Sequence, residues 1–339
     1  MKDNISMDKI VIVASSFYPN NGGVEKHLEY VVKNLVSRGY EVIVFVRYSQ
    51  SFPKKQYVYG ALVRRMPKNT SKYSMKLWLV KNRKVFDGAV VHSHDFFPFA
   101  LRMLLPNVRW IHSFHGYEGY PLDSNAIRSR QEVSSMVDYT YCVGGFIEKW
   151  YGTKCDSVIW GAADKTSVNP TKLKWDFIFY GRFEQDTGFE EYLKAFRLIQ
   201  SKNPNVSMLA VGSGSKLEWA KEYIKENELN IYLHDKVNDI NDLLSQSKVA
   251  FVSGYLSIIE CGLAKKPIVA YYGTPIKKDY LECHPMANSF AVVGSIKGVE
   301  DAAMLALKAS AKQLQRLYNW SSKQTWDNIV NQYEKSYQS

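Results

Sequence analysis

The sequence predicts an α/β protein of two successive domains, each a largely parallel sheet flanked by helices. Three observations carry that prediction. Short apolar runs alternate with amphipathic segments, the alternation starts afresh near mid-chain, and 339 residues exceed one ordinary core. A composition 46% hydrophobic and 23% charged excludes disordered, collagen-like and coiled-coil classes. No run of about 18 apolar residues occurs, which excludes a membrane-spanning helix.

In the first half the strand-like runs are Lys9–Ala14, Glu41–Val46, Ala89–His92, Val108–His112, Tyr139–Val143 and Ser157–Trp160. Between the first two, Val24, Leu28, Val31, Val32 and Leu35 recur at helical spacing and Gly39 supplies the stop. The second half offers strands at Asp176–Tyr180, Val206–Val211, Ile231–His234, Lys248–Ser253, Pro267–Tyr272 and Ser289–Val293. Helices are expected around Glu190–Ile199, Lys216–Asn227 and Ile258–Ala264. Residues 162–174 lack apolar periodicity and contain a proline, so the linker is expected there. The resulting domains are 1–165, 166–315 and a closing helix, 316–339, packing back on the first domain.

The net charge of +11 is local. Residues 42–86 hold eleven basic side chains and no acidic one, so the remainder carries 33 charges of each sign. The cysteines (Cys142, Cys155, Cys261, Cys283) show no CxxC spacing and read as reduced thiols. The polar start Met1-Lys2-Asp3-Asn4 runs straight into a strand, and the expectation is a cytoplasmic protein.

In open α/β sheets ligands bind beyond the carboxyl ends of the strands, so the loops there are where chemistry is expected. Asn20-Asn21-Gly22-Gly23 joins the first strand to its helix. Its glycines admit a ligand and the helix start favours an anion, but it is equally a tight turn. Gly181 to Gly188 follows the first strand of the second half. There the Arg182 guanidinium suits a diphosphate, the alternative being a surface arginine paired with Glu184 or Asp186. A helix starting near Leu256 would aim free amides at a ligand. Glu260 on it can accept from sugar hydroxyls, or simply face solvent.

Taken in order, these segments resemble the retaining nucleotide-sugar glycosyltransferases of family 4. The resemblance is carried by FYPNNGGVEKHLEYVVKNLVSRGYEVIVF (17–45), VVHSHDFFP (90–98), SFHGYEG (113–119), WGAAD (160–164), FYGRFEQDTGFEEYLKAF (179–196), AVGSGS (210–215), IIECGLAKKPIVA (258–270) and NWSSKQTWDNIVNQYEKSY (319–337). It implies two facing Rossmann-like domains, the GT-B clamshell, with 1–165 on the acceptor side and 166–315 binding the nucleotide-sugar. Arg182 would hold the donor diphosphate and stabilise the leaving charge, with Thr187 beside it. Glu260 would bind the ribose hydroxyls. The amides of Leu256, Ser257 and Ile258 would contact the diphosphate and sugar, Gly22 and Gly23 would leave room for the donor, and His115 would lie by the transferred sugar. No cofactor and no metal is implied, the donor being a substrate. The acceptor is a glycan or lipid-linked saccharide. Two positions depart from the family: Val252 replaces a frequent glutamate and Thr187 the usual lysine. Val252 gives the rival reading, a catalytically degenerate nucleotide-sugar or glycan-binding protein, its best support.

His92-Ser93-His94-Asp95, with His112 and His115, suggests a metal site, but His92 and His112 sit in apolar runs that favour hydrogen-bonded core imidazoles. The basic segment, Arg47 to Lys84 (47–84), interleaves cations with Tyr48, Phe52, Tyr57, Tyr59, Tyr73 and Trp78. Lys72, Lys76, Leu77, Leu79, Val80 and Lys84 fit one amphipathic helix, and the expected partner is an anionic membrane surface at the inner face of the cell membrane. A solvated face and nucleic acid are the alternatives; no RNA-binding motif occurs, so no nucleic-acid partner is expected. Tyr180 and Phe251 read as core. Tyr117, Tyr120 and Trp150 are candidates for stacking on sugar rings, and Trp320 and Trp326 for anchoring the closing helix on the first domain.

Overall fold

Apolar strands with few alternating polar positions are those buried on both faces, and the central strands of both sheets are of this kind. The computed structural model describes residues 9–20, 22–69, 71–164, 172–237 and 239–338. It divides into two units, 1–161 with 326–339, and 162–325. The expected boundary at 165/166 and most of the expected linker lie outside the described residues.

The first unit runs β1 (Lys9–Ala14), α1 (Gly23–Ser37), β2 (Glu41–Val46), β3 (Lys55–Val58), β4 (Ala61–Arg65), α2 (Lys72–Phe86), β5 (Ala89–His94) and α3 (Phe99–Leu104). It continues through β6 (Arg109–Phe114), α4 (Ser124–Met136), β7 (Tyr139–Val143), α5 (Phe146–Tyr151) and β8 (Ser157–Ile159). The strand order is β3-β4-β2-β1-β5-β6-β7-β8, parallel except for the β3–β4 hairpin. Ile10 to Val13 of central β1 are wholly buried. At roughly 1.5–3 kcal/mol per buried aliphatic side chain, that strand alone is a major part of the core. The hairpin lies in the basic segment, where apolar patterning predicts no strand.

The second unit runs β9 (Trp175–Arg182), a 3₁₀ turn (Gln185–Thr187), α6 (Phe189–Lys202), β10 (Met208–Ser213), α7 (Leu217–Glu226), β11 (Ile231–His234), α8 (Asn241–Ser245) and β12 (Ser247–Phe251). Then come α9 (Tyr255–Leu263), β13 (Ile268–Tyr271), α10 (Pro275–Glu282), β14 (Ala291–Val293), α11 (Ile296–Ala306) and α12 (Ala311–Ser321). Its sheet, β11-β10-β9-β12-β13-β14, is wholly parallel. Both units are therefore of the doubly wound, Rossmann-like kind. β9 is central, and Phe177, Phe179, Phe196 and Phe251 fill the layer around it.

The chain closes not with one helix from 316 but with two. After α12 the chain turns at Ser322–Thr325, and α13 (Trp326–Gln338) belongs to the first unit. The two tryptophans accordingly part company. Trp326 stacks on Tyr30 of α1 at 4.6 Å, while Trp320 meets His284 of the second unit edge-on at 4.6 Å. α13 is pinned to the first unit by Arg38 pairing with Glu334 and Asp327 and by Tyr141 donating to the Gln332 carbonyl at 2.7 Å.

The end of β9 demands glycine. Gly181 pairs with Gly212 of β10, both at φ +153°, and a Cβ on Gly212 would sit 1.9 Å from the Gly181 oxygen. Gly212→Ala is therefore expected to destabilise the second unit by roughly 2 kcal/mol or more, from overpacking plus an unfavourable φ. Denaturant unfolding checks this; a midpoint equal to wild type would refute the close approach.

Candidate functional site

In the second unit the expected residues gather where β9 ends. Strand alternation puts Tyr180 and Arg182 on one face of β9, two residues apart. The Tyr180 hydroxyl lies 2.7 Å from a Glu260 oxygen and 3.0 Å from the Ser257 carbonyl. It thus ties the strand end to the first turns of α9 and holds the carboxylate. Burial and the neighbouring Glu260 push the Tyr180 phenol well above its usual pKa, so it remains a donor. From sequence Tyr180 reads as core packing; it is also the partner that orients Glu260.

α9 starts at Gly254 with no side-chain cap. The Tyr255 amide is taken by the Tyr280 hydroxyl at 2.9 Å, and the Ile258 amide donates to the Gly254 carbonyl at 2.9 Å. Ile258 is fully buried as well, so it leaves the set of expected ligand contacts. The amides of Leu256 and Ser257 fall in the first turn, where a helix has no partner to offer, and both residues are half-buried.

Two expectations change here. The Thr187 hydroxyl lies 2.8 and 2.7 Å from the Arg182 and Glu184 carbonyls, so its proton is spent on locking the turn and not on a ligand. Arg182 forms an ion pair with Asp186 at 2.6 Å, which is the alternative reading of this arginine. That pair is open to solvent, with side chains 65% and 56% exposed, and such pairs contribute about 0–1 kcal/mol. Val252 is buried, and no carboxylate stands at that position.

In the first unit Gly22 is the N-cap of α1 and Gly23 its first residue. Asn21, in the same loop, lies outside the described residues. A Cβ on Gly23 would meet open space, whereas one on Gly22 would meet the Glu25 carboxylate at 2.5 Å. Glu25, which accepts from Ser16, already places a negative charge in the first turn of α1. Reading the loop for its glycines alone passes over this carboxylate.

His115 belongs to a cluster. Its Nε2 faces His94 Nδ1 at 2.9 Å, and its ring lies 4.8 Å from His27 and 5.2 Å from His94. His27 Nε2 meets the Tyr333 hydroxyl at 2.9 Å. His92 bonds Tyr337 and Ser113, and His112 bonds Ser93, as core imidazoles do. Among the described residues, His27, His94 and His115 offer nitrogens within 4.8 Å of one another, a possible metal set, and His94 Nε2 has no protein partner. Burial pushes His27, His92, His94 and His112 well below the usual imidazole range and His115 down to about 3.

The candidate sugar platforms are engaged with other rings: Tyr120 meets Trp150 edge-on at 6.1 Å, and Tyr117 meets Phe146 at 5.9 Å. The basic segment does not form one continuous face. Arg47 lies over Phe96, Arg65 over Phe52 and Arg64 over Phe45. α2 buries Met75, Leu79 and Phe86 and presents Lys76, Lys81, Arg83 and Lys84 outward, with Tyr73, Leu77 and Val80 exposed among them. No helix among the described residues is long and apolar enough to cross a membrane.

Residues 21–156 match the family model described as glycosyltransferase family 4, and residues 163–316 the model described as glycosyl transferases group 1. A relative from Homo sapiens, one of the subunits of phosphatidylinositol N-acetylglucosaminyltransferase, is 22% identical over 382 residues, covering 97% of this chain and 75% of that protein. Among solved structures, Anabaena Alr3699/HepE in complex with UDP superposes with TM-score 0.73 at 14% identity, covering 97% of this chain and 99% of that one. A glycosyltransferase from Rickettsia africae superposes with TM-score 0.70 at 15% identity, covering 97% and 98%. These structural likenesses establish the fold.

Five neutral imidazoles in the first unit make it acid-sensitive. Their folded pKa values lie below the unfolded value near 6.5, so below that pH the unfolded chain binds more protons. Stability is fully present above about pH 6.5 and falls as pH drops toward about 3, by up to about 1.4 kcal/mol per pH unit per histidine. Unfolding of wild type at pH 7.5 and 5.5 is expected to show a clear loss at the lower pH. An unchanged midpoint would contradict neutral burial of the cluster.

Proposed function

From the premise that the chain belongs to the glycosyltransferases of the GT-B fold, matched by family models over both units, we propose that it transfers a sugar with retention and without a metal. The enzyme uses a nucleotide-sugar donor, and the proposed acceptor is a hydroxyl of a glycan or lipid-linked saccharide. The observation that carries the assignment is the Tyr180–Glu260 hydrogen bond, with Arg182 two residues further along β9. One short stretch thereby supplies a held carboxylate for ribose hydroxyls and a guanidinium for the diphosphate.

In the reaction the bond from the sugar's anomeric carbon to the diphosphate oxygen breaks and its electron pair leaves with the phosphate. The acceptor oxygen bonds to the same carbon, and its proton passes to the departing phosphate oxygen. Arg182 and the Leu256 and Ser257 amides stabilise the charge that grows on the leaving group, which is where such groups contribute most. Releasing Arg182 from Asp186 costs little, because that pair is solvent-exposed. His115, neutral at working pH, serves as a hydrogen-bonding group for the transferred sugar and not as an acid. The hydrogen bonds already made by His27, His94 and His115 with Tyr333 and with each other favour a metal-free role for that cluster.

UDP-, GDP- and ADP-sugars are screened for release of nucleoside diphosphate, UDP first because HepE is solved with UDP. Arg182→Ala is expected to lower turnover roughly 100-fold or more, and Glu260→Ala to weaken donor binding. EDTA is expected to leave the wild-type rate unchanged, and the product anomer to match the donor. A wild type that binds donor but is as inert as both variants would establish a binding protein instead.

The outer face of α2 supports an anionic membrane surface as the second partner, at the cytoplasmic face. Exposed cations there alternate with exposed Tyr73, Leu77 and Val80, and no acidic side chain lies on the helix. Neutralising Lys76, Lys81 and Lys84 together is expected to weaken binding to phosphatidylserine vesicles about 100-fold, at ~1 kcal/mol per cation. Equal binding to neutral vesicles, or tighter binding to RNA over a salt series, would displace this reading.

A further inference from the structure

Lys277 lies in the first turn of α10, a short helix that begins at Pro275 and that periodicity does not reveal. The residue is half-buried, and the groups its ammonium touches are neutral. It donates to the Ser253 carbonyl at 2.6 Å and sits 4.1 Å from the centre of the Tyr280 ring, itself stacked on Tyr255 at 3.9 Å. Among the described residues no carboxylate lies within ion-pair distance of it. Ser253 in turn donates to the Thr187 carbonyl at 3.0 Å, and Thr187 to that of Arg182. The charged groups close enough to act on Lys277 are Arg182, which repels it, and Asp186, which attracts it.

A cation partly withdrawn from water, with Asp186 acting on it only at a distance and Arg182 opposing that attraction, is a costly arrangement that an anion in direct contact would relieve. The tyrosine hydroxyl that occupies the Tyr255 amide comes from the helix carrying Lys277, so α10 also sets which amides of α9 face a ligand. We propose that Lys277 is a second cationic ligand for the donor diphosphate, opposite Arg182 and beside the Leu256 and Ser257 amides, and that it selects diphosphate over monophosphate. This inference rests on the donor-site reading above.

Desolvation, with Arg182 nearby, pushes the free ammonium down to about 8, while Asp186 opposes the shift. The protonated form is the one an anion binds, so diphosphate affinity falls as pH rises through about 8.

The test measures Kd for UDP, GDP and ADP, and for the matching monophosphates, by calorimetry on the full chain. Lys277→Met and Lys277→Arg are compared with wild type after thermal unfolding confirms that each folds. For the nucleotide that binds, Lys277→Met is expected to reduce the diphosphate-over-monophosphate preference about 10-fold, with monophosphate affinity nearly unchanged. Lys277→Arg is expected to keep the preference and to lose the fall in affinity between pH 7.5 and 9. A preference unaltered in Lys277→Met, or an equal loss for both nucleotides, would mean that the lysine only braces the Ser253 turn and would overturn the proposal. Wild type binding no nucleoside diphosphate would remove the donor-site reading itself, and this proposal with it.

Discussion

One hydrogen bond organises the second unit's candidate site: the Tyr180 hydroxyl on Glu260. Because that hydroxyl also reaches the Ser257 carbonyl, it fixes the end of β9 against the first turn of α9. The placement of Arg182 follows from it, since only Gly181 separates the two residues. A tyrosine at this depth keeps its proton, so it always presents a donor to the carboxylate. The glycine pair behind it is the complementary constraint. With a Cβ at Gly212, 1.9 Å from the Gly181 oxygen, the two strand ends could not lie at this spacing.

Much of this is legible in the sequence, for a definite reason. Strands covered on both faces must be apolar throughout, and β1, β2 and β7 can be read to the residue. The β3–β4 hairpin escapes because Lys55, Arg64 and Arg65 interrupt the apolar pattern of two short runs. α4 escapes because only Arg130, Val133 and Ser134 of its residues are buried, too few to write an apolar period. α10 escapes because Pro275 reads equally well as a turn, and Lys277 goes with it. Within the candidate site, residue type with position, Arg182 at the end of β9 and Glu260 on α9, points to both residues. What sequence does not encode is where a proton or amide is already committed: Thr187 and Ile258 have suitable groups, both spent on backbone carbonyls.

The first unit shows the same principle in its histidines. Sequence spacing puts His92 and His94 on one strand face, and the rings do stack, 4.2 Å apart. Their chemistry is decided by what surrounds them. Tyrosines from α13 and serines from the strands take up the nitrogens of His27, His92 and His112, and burial removes their charge. α13 thereby depends on the histidines as they depend on it, since the buried Tyr333 and Tyr337 hydroxyls bond His27 and His92. Reading α13 as a mere closing helix understates it, because it completes the polar interior of a unit otherwise built from residues 1–161.

The two cations near the end of β9 differ in a way that decides how an anion would engage them. Arg182 is exposed and already paired, so its attraction to Asp186 is screened and cheaply exchanged. Lys277 is partly withdrawn from water, where the same Coulomb interaction is several times stronger than at the surface. A dianion bound as proposed would therefore sacrifice little in displacing Asp186 and gain most from the lysine. On the proposed reading, the surface pair is the contact given up, and the partly withdrawn ammonium supplies the larger share of the attraction. Reversing the two environments would leave a buried Arg–Asp pair too costly to open and an exposed lysine too well hydrated to discriminate.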